Sequence, residues 1–153
     1  MRHRKNTVKL GRTSAQREAL LASLVSNLIL AKRIKTTLPK ARAAKRMADK
    51  MVTIGKKETL AARRHALSRL KQPKAVAELF AAVAPAMKDR AGGYTRIVKL
   101  GKRMSDSSEM CILEWVDFVP KAPKAKKKKA EDAPKATAEK KAKKSAEPPA
   151  KQE

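Results

Sequence analysis

The sequence contains few of the residues from which catalytic or disulfide-stabilised proteins are built. Its 153 residues include one cysteine and two histidines. A single cysteine excludes an internal disulfide and any zinc site that needs several thiolates, and it indicates a reducing compartment. We therefore expect Cys111 to be a small, buried strand residue.

Groups that could carry out catalysis are also scarce. His3 and His65 have no acidic neighbour in the sequence to orient them, and His65 is expected to lie on the surface, facing solvent or a bound partner. The five glycines form neither a P-loop nor a dinucleotide-binding fingerprint. Asp106 and Glu109 fall in a polar link that is more simply a solvated turn than an acid–base pair. The sequence thus predicts no enzymatic activity, no metal and no cofactor.

Aromatic residues make up only 3% of the chain, and Phe80, Trp115 and Phe118 fall within predicted core stripes. Base-stacking platforms of the kind used by single-strand-binding proteins are therefore not expected. Tyr94 is the exception, because it follows two glycines where the backbone could approach a phosphate or a ribose.

No apolar run is long enough to cross a membrane. The longest, residues 20–30, is interrupted by Ser23, Ser26 and Asn27, whereas a bilayer-spanning helix needs about 20 apolar residues. The basic start is followed by no apolar segment and no small-residue cleavage site, so we expect no secretory signal. The protein should remain in the compartment in which it is made.

What the sequence has in excess is positive charge. Lysine and arginine number 39 against 14 acidic residues, which gives a formal charge of +25. Each phosphate that Lys or Arg contacts releases condensed counterions, so a nucleic acid is the expected partner. An anionic membrane surface bound by a basic amphipathic helix is the weaker alternative.

The charge is not confined to one end of the chain. Residues 120–153 consist almost wholly of Lys, Ala, Pro and Glu, and we expect this tail to be disordered because it has nothing to pack. Residues 1–119 still hold 27 basic and 9 acidic residues, a net charge of +18. We therefore predict one nucleic-acid-binding domain over residues 1–119, with a basic arm at residues 1–12.

Hydrophobic periodicity predicts an α+β domain in the order helix, strand, three helices, two strands. Thr13 is the expected N-cap of the first helix, and residues 32–38 alternate as a half-buried strand. The second helix is expected over residues 39–54, with Gly55 as its C-terminal cap. The third helix is expected to follow Thr59 and to carry Leu60, Leu67 and Leu70. The fourth is expected to begin at Pro73 and to be ended by Pro85.

Residues 94–100 and 110–119 then predict an antiparallel hairpin. The second of these strands has apolar residues on both faces and should be central or covered. We expect the first strand to join the hairpin in one small sheet, packed against the helices.

Basic clusters recur on several of these elements with few compensating acids, which favours distributed contact with a folded RNA. A single cluster could be no more than a solvated helix face. Five of them, in the arm, the first strand, the second helix, the third helix and the hairpin, argue for a binding surface. The predicted RNA contacts are Arg2, His3, Arg4, Lys5, Lys9, Arg12, Arg33, Lys35, Lys40, Arg42, Lys45, Arg46, Arg63, Arg64, Tyr94, Thr95, Arg96, Lys99, Lys102 and Arg103.

Four motifs, in order along residues 1–119, resemble the bacterial large-subunit ribosomal protein L-seventeen family; the tail lies outside this likeness. The motifs are Met1-Arg2-His3-Arg4-Lys5, Leu10-Gly11-Arg12-Thr13-Ser14, Arg33-Ile34-Lys35-Thr36-Thr37-Leu38-Pro39-Lys40-Ala41 and Gly92-Gly93-Tyr94-Thr95-Arg96-Ile97. Residues 6–8 depart from the small or basic residues that are common in the family, so the depth to which the arm inserts is open.

The resemblance implies an α+β fold and a structural role, without catalysis, in the large subunit of a bacterial-type, cytoplasmic ribosome. It implies binding to large-subunit ribosomal RNA near the exit side of the peptide tunnel. It also implies protein neighbours, first of all L-thirty-two and L-twenty-two. A nucleoid protein that uses the tail on DNA is the alternative that the residues alone leave open.

Overall fold

In a computed structural model of the protein, residues 8–116 are described. They form, in order, α1 (Ser14–Ala31), β1 (Arg33–Thr37), α2 (Leu38–Gly55), α3 (Leu60–Leu70), α4 (Pro73–Glu78), a π-helical turn (Leu79–Val83), α5 (Ala84–Ala86), β2 (Thr95–Lys102) and β3 (Glu109–Trp115). Because α4, the π-helical turn and α5 follow one another directly, they make one helical run. The predicted order of elements is confirmed.

The predicted basic arm and the predicted tail fall largely or wholly outside the described residues. Arg2, His3, Arg4 and Lys5 are among the residues not described, as are residues 117–119 at the end of the expected last strand. The expectations for these residues stay predictions.

The three strands form one antiparallel sheet in the order β1-β3-β2. Ile34 pairs with Leu113, and Leu113 pairs in turn with Ile97. The hairpin partner β3 is therefore the central strand, as its two apolar faces predict. A bulge between Lys99 and Gly101 on β2 shifts the register, and Gly101 takes a φ of +95°, which favours glycine.

One face of the sheet, here called the inner face, packs on α1 and α2. It carries Cys111, Leu113 and Trp115 of β3, all buried. The Trp115 indole Nε1 donates a hydrogen bond to the Leu28 carbonyl of α1 at 3.1 Å. The Cys111 thiol donates to the Thr36 carbonyl at 3.4 Å, so its predicted place as a small buried strand residue is confirmed.

Two of the predicted helix caps are confirmed. The Thr13 hydroxyl accepts from the Gln16 amide, and the Thr59 hydroxyl accepts from the Ala62 amide at 3.2 Å. Each cap satisfies an amide that has no partner within its own helix. Within residues 8–116, no helix combines the length and the apolar character needed to cross a membrane.

The predicted role of Gly55 is wrong. It is the last residue of α2 rather than a cap in the left-handed conformation, and it is buried. A Cβ at this position would lie 3.0 Å from the Cβ of Ala84. Glycine is used here because it lets α2 approach the first residue of α5, not because the helix must stop.

Two further expectations for the helices need correction. Leu60 and Leu67 are 63% and 43% exposed, and the side of α3 that faces the core consists of Ala62, Ala66 and Leu70. Small residues allow α3 to pack close to its neighbours.

Pro85 does not end the helical run, which continues to Ala86. The preceding π-helical turn bonds the Ala84 amide to the Leu79 carbonyl, and such wider turns accommodate local departures from α-helical bonding.

Candidate nucleic-acid interface

The second face of the sheet, here called the outer face, points away from α1 and α2. Side chains alternate along a strand, so Arg33 and Lys35 of β1 share this face with Ile112 and Glu114 of β3 and with Arg96 of β2. The three basic residues are exposed, whereas Ile112 and Glu114 are half-buried. The tertiary structure thus brings together cations that are more than 60 positions apart in the sequence.

On the outer face, Glu114 of the central strand lies between two arginines. It pairs with Arg33 of β1 on one side and with Arg96 of β2 on the other. The Arg33 Nε lies 3.4 Å from one carboxylate oxygen of Glu114, and the Arg96 Nε lies 3.3 Å from the other. In the next row, Lys35 and Val98 flank Ile112. The outer face therefore combines basic groups with a modest apolar surface.

Helix α2 begins directly after β1 and carries four more of the predicted contacts. Lys40 and Lys45 are half-buried, while Arg42 and Arg46 are exposed. Burial raises the pKa of the Cys111 thiol, and the positive charge of Arg42 acts in the opposite direction.

Tyr94 and Thr95 do not present their side chains to a ligand. They are 4% and 2% exposed. The Tyr94 hydroxyl donates to the Ala91 carbonyl, and Lys56 lies over its ring at 4.5 Å from the centroid. The Thr95 hydroxyl donates to Asp49 at 3.0 Å. These two residues fix the start of β2, which leaves Arg96 as the exposed predicted contact of this motif.

Arg103 has an acidic partner in the turn between β2 and β3. Its Nε and Nη2 donate to the two carboxylate oxygens of Asp106 at 2.9 and 2.6 Å. The Arg103 guanidinium and the Ser108 hydroxyl and amide hold the pKa of Asp106 well below its ordinary value. Arg103 is therefore compensated, and Asp106 is part of a structured turn, as its place in a polar link predicts.

The remaining predicted contacts are dispersed. Lys99 and Lys102 are exposed on β2, and Lys9 and Arg12 are exposed in the turn before α1, where the Arg12 guanidinium donates to the Leu10 carbonyl at 2.9 Å. Arg63 and Arg64 lie on α3, which packs against α1, α2 and α4, and Arg63 stacks over the Phe80 ring. The structure does not bring this last pair to the outer face.

A groove between α1, α2 and α3 holds several basic residues that were not among the predicted RNA contacts. Its volume is about 800 Å³, and its floor is apolar. Its basic lining residues are Arg17, Arg46, Lys50, His65, Arg69 and Lys71, next to one acid, Glu18. Only Arg46 was among the predicted contacts. The others come from three helices and form no local cluster, so no sequence signal could have joined them.

The geometry of these basic residues supports binding of polyanions and not catalysis of a reaction. Guanidinium and ammonium groups on fixed strands and helices can contact phosphates, and these contacts set position without reading sequence. Among residues 8–116, no three histidine, cysteine or acidic side chains come together as a metal site.

Comparison with known proteins gives consistent matches. The model of the family described as Ribosomal protein L17 matches residues 20–116. The chain is 49% identical over 117 residues to the large ribosomal subunit protein bL17 of Methylacidiphilum infernorum. This match covers 76% of this chain and 89% of that protein. It is 50% identical over 108 residues to the protein of the same name from Alkaliphilus metalliredigens, with 71% and 96% covered.

At least two relatives extend the likeness into the tail, and one does so over most of its length. The large ribosomal subunit protein bL17 of Bacteroides thetaiotaomicron is 43% identical over 147 residues, which is 96% of this chain and 87% of that protein. A match of that length must run past residue 119. The expectation that the tail lies outside the likeness is therefore wrong for this relative.

Proposed function

Because the chain belongs to the ribosomal protein L17 family, we propose that it binds large-subunit ribosomal RNA through its basic surfaces and supports assembly of the large subunit. Membership makes it a structural constituent of the large ribosomal subunit of bacterial type, and not an enzyme. A place in the cytoplasm, with the ribosome, follows from the same membership.

The outer face of the sheet is the observation that supports RNA binding most strongly. Arg33, Lys35 and Arg96 are exposed there on rigid strands, with their backbones fixed by pairing to β3. Charges held in a fixed geometry suit a folded RNA, whose phosphates are also fixed. Within residues 8–116 the aromatic side chains, Phe80, Tyr94 and Trp115, are buried, which argues for shape and backbone contacts over base stacking.

We also propose protein neighbours within the subunit, with L-thirty-two and L-twenty-two as the first candidates. The apolar residues exposed near the hairpin support a protein contact there: Val98 and Leu100 are 39% and 46% exposed, and Met104 is fully exposed. Cross-linking within purified large subunits would identify these neighbours.

The proposed function is tested by sedimentation and by competition. The protein should co-sediment with large subunits, and large-subunit RNA should displace it from duplex DNA at matched salt, because a fixed basic geometry favours a matching folded RNA over a uniform duplex. Protein that stays free at ordinary salt, or that shows equal preference for duplex DNA, would contradict the proposal and favour a nucleoid role.

The two ends of the chain are expected to contribute unequally. We propose that residues 1–12 act as an arm that contacts RNA, and that the tail of residues 120–153 contributes less to incorporation. Deletion of residues 1–9 should then weaken incorporation into large subunits more than deletion of residues 120–153. Quantitative sedimentation of both truncated proteins against the full chain measures this, and an equal or reversed effect would count against the prediction.

A further inference from the structure

Glu114 is an acid at the centre of an otherwise basic surface. It lies on the central strand, its side chain is 22% exposed, and it faces outward between Arg33 and Arg96. Facing RNA, a carboxylate would repel phosphate, so charge alone argues against an acid at this position. Its place in the register suggests another role.

We propose that Glu114 is a positioning residue that holds Arg33 and Arg96 together as a two-arginine site for RNA backbone phosphates. The inference rests on the proposed function, since it assigns an arrangement to the surface that is proposed to bind RNA. It adds a residue that neither charge nor the sequence motifs singled out.

The geometry of the two ion pairs leaves the arginines able to bind a ligand. Each pair is made by Nε, at 3.4 Å for Arg33 and 3.3 Å for Arg96, and each uses a different oxygen of the carboxylate. A guanidinium carries five N–H donors, so donors on the Nη groups remain. The Arg33 and Arg96 side chains are 63% and 59% exposed, which keeps these ends accessible.

Sharing one carboxylate has two consequences for phosphate binding. The negative charge offsets the repulsion between two guanidiniums that would otherwise separate on the surface. It also restricts both long side chains before the RNA arrives, and ordering such side chains is a substantial cost of binding. The two arginines can then meet adjacent phosphates in a bidentate manner.

A contribution to the stability of the fold is a poor alternative explanation for the presence of Glu114 on this basic surface. Exposed ion pairs contribute little to stability, and cross-strand pairs of opposite charge are worth only small amounts. Removal of the Glu114 charge should therefore leave the protein folded, and its effect should appear in RNA binding.

The decisive experiment compares Glu114→Gln with Glu109→Gln in the full chain. Glu109 is exposed on the same strand, so both variants lose one negative charge from β3. If charge alone matters, both variants should bind large-subunit RNA slightly more tightly than the wild type. If Glu114 positions the arginines, Glu114→Gln should bind about fivefold or more weakly, the size expected for the loss of prior ordering of two side chains, while Glu109→Gln should not weaken binding.

Two further variants separate positioning from folding. Glu114→Asp keeps the charge but shortens the reach, so it should also lose affinity, whereas a charge-only role predicts wild-type binding. In an Arg33→Ala/Arg96→Ala background, Glu114→Gln should cause no further loss, because the residues act as a unit. Urea midpoints identify any variant that is destabilised.

The outcomes distinguish this inference from the proposed function. If the wild-type protein does not prefer large-subunit RNA, the proposed function fails. If the wild type binds but Glu114→Gln and Glu114→Asp bind at least as tightly, only the positioning role is overturned.

Discussion

Replacement of Trp115 by alanine is expected to lower the free energy of unfolding by about 3–5 kcal/mol. Trp115 is 3% exposed and joins the central strand to α1 through the hydrogen bond to the Leu28 carbonyl. Its removal leaves a large cavity between the sheet and the helices. A domain of this size has a total stability of about 5–15 kcal/mol, so the variant should be close to unfolding.

The measurement is urea unfolding followed by far-UV circular dichroism, since the variant lacks the only tryptophan. Trp115→Phe keeps most of the packing and loses the indole N–H, so a smaller loss of about 1–2 kcal/mol is expected. Leu100→Ala, at a position that is 46% exposed, serves as the control and should change stability by about 0.5 kcal/mol at most. Equal midpoints for Trp115→Ala and Leu100→Ala would show that Trp115 does not anchor the sheet.

Replacement of Arg33 and Lys35 together by alanine is expected to weaken binding to large-subunit RNA by about a hundredfold or more, because each charge-assisted contact is worth about 1.5–3 kcal/mol and about 1.4 kcal/mol corresponds to a factor of ten. Both residues are exposed on the outer face. The slope of log affinity against log salt should fall by about 0.7–0.9 for each phosphate contact that is lost.

The matched control is Lys74→Ala with Lys88→Ala, two exposed lysines outside the predicted contacts. This variant removes the same charge, so it should share only the general electrostatic effect. Filter binding at several salt concentrations gives both quantities. An unchanged slope for the Arg33/Lys35 variant would place that part of the outer face in solvent, and equal losses in the two variants would argue against a localised surface.

Sequence patterns predicted the fold well where the signal is local. Thr13 and Thr59 cap helices because a hydroxyl at that position satisfies a free amide, whatever the rest of the molecule does. The alternation of residues 32–38 gave the correct exposed side for Arg33 and Lys35. The apolar residues on both faces of β3 correctly predicted a central strand.

Patterns misled where a residue's role depends on a distant neighbour. Gly55 looks like a helix cap in the sequence, yet its small size serves a close contact with Ala84. Tyr94 beside two glycines resembles an exposed loop residue, yet its ring lies under Lys56. Leu60 and Leu67 are the larger apolar residues of α3, yet the core side is set by the packing of α1, α2 and α4 against Ala62 and Ala66.

The excess of positive charge, the scarcity of catalytic groups and the alternation of β1 are properties of the chain itself, so the sequence predicted a polyanionic partner and determined the exposed side of that strand. The pairing of Arg33 and Arg96 across Glu114, and the basic groove between three helices, depend on which elements become neighbours. Only the tertiary structure decided these, because burial of the apolar face against α1 and α2 fixes the register and thereby the position of every side chain on the opposite face.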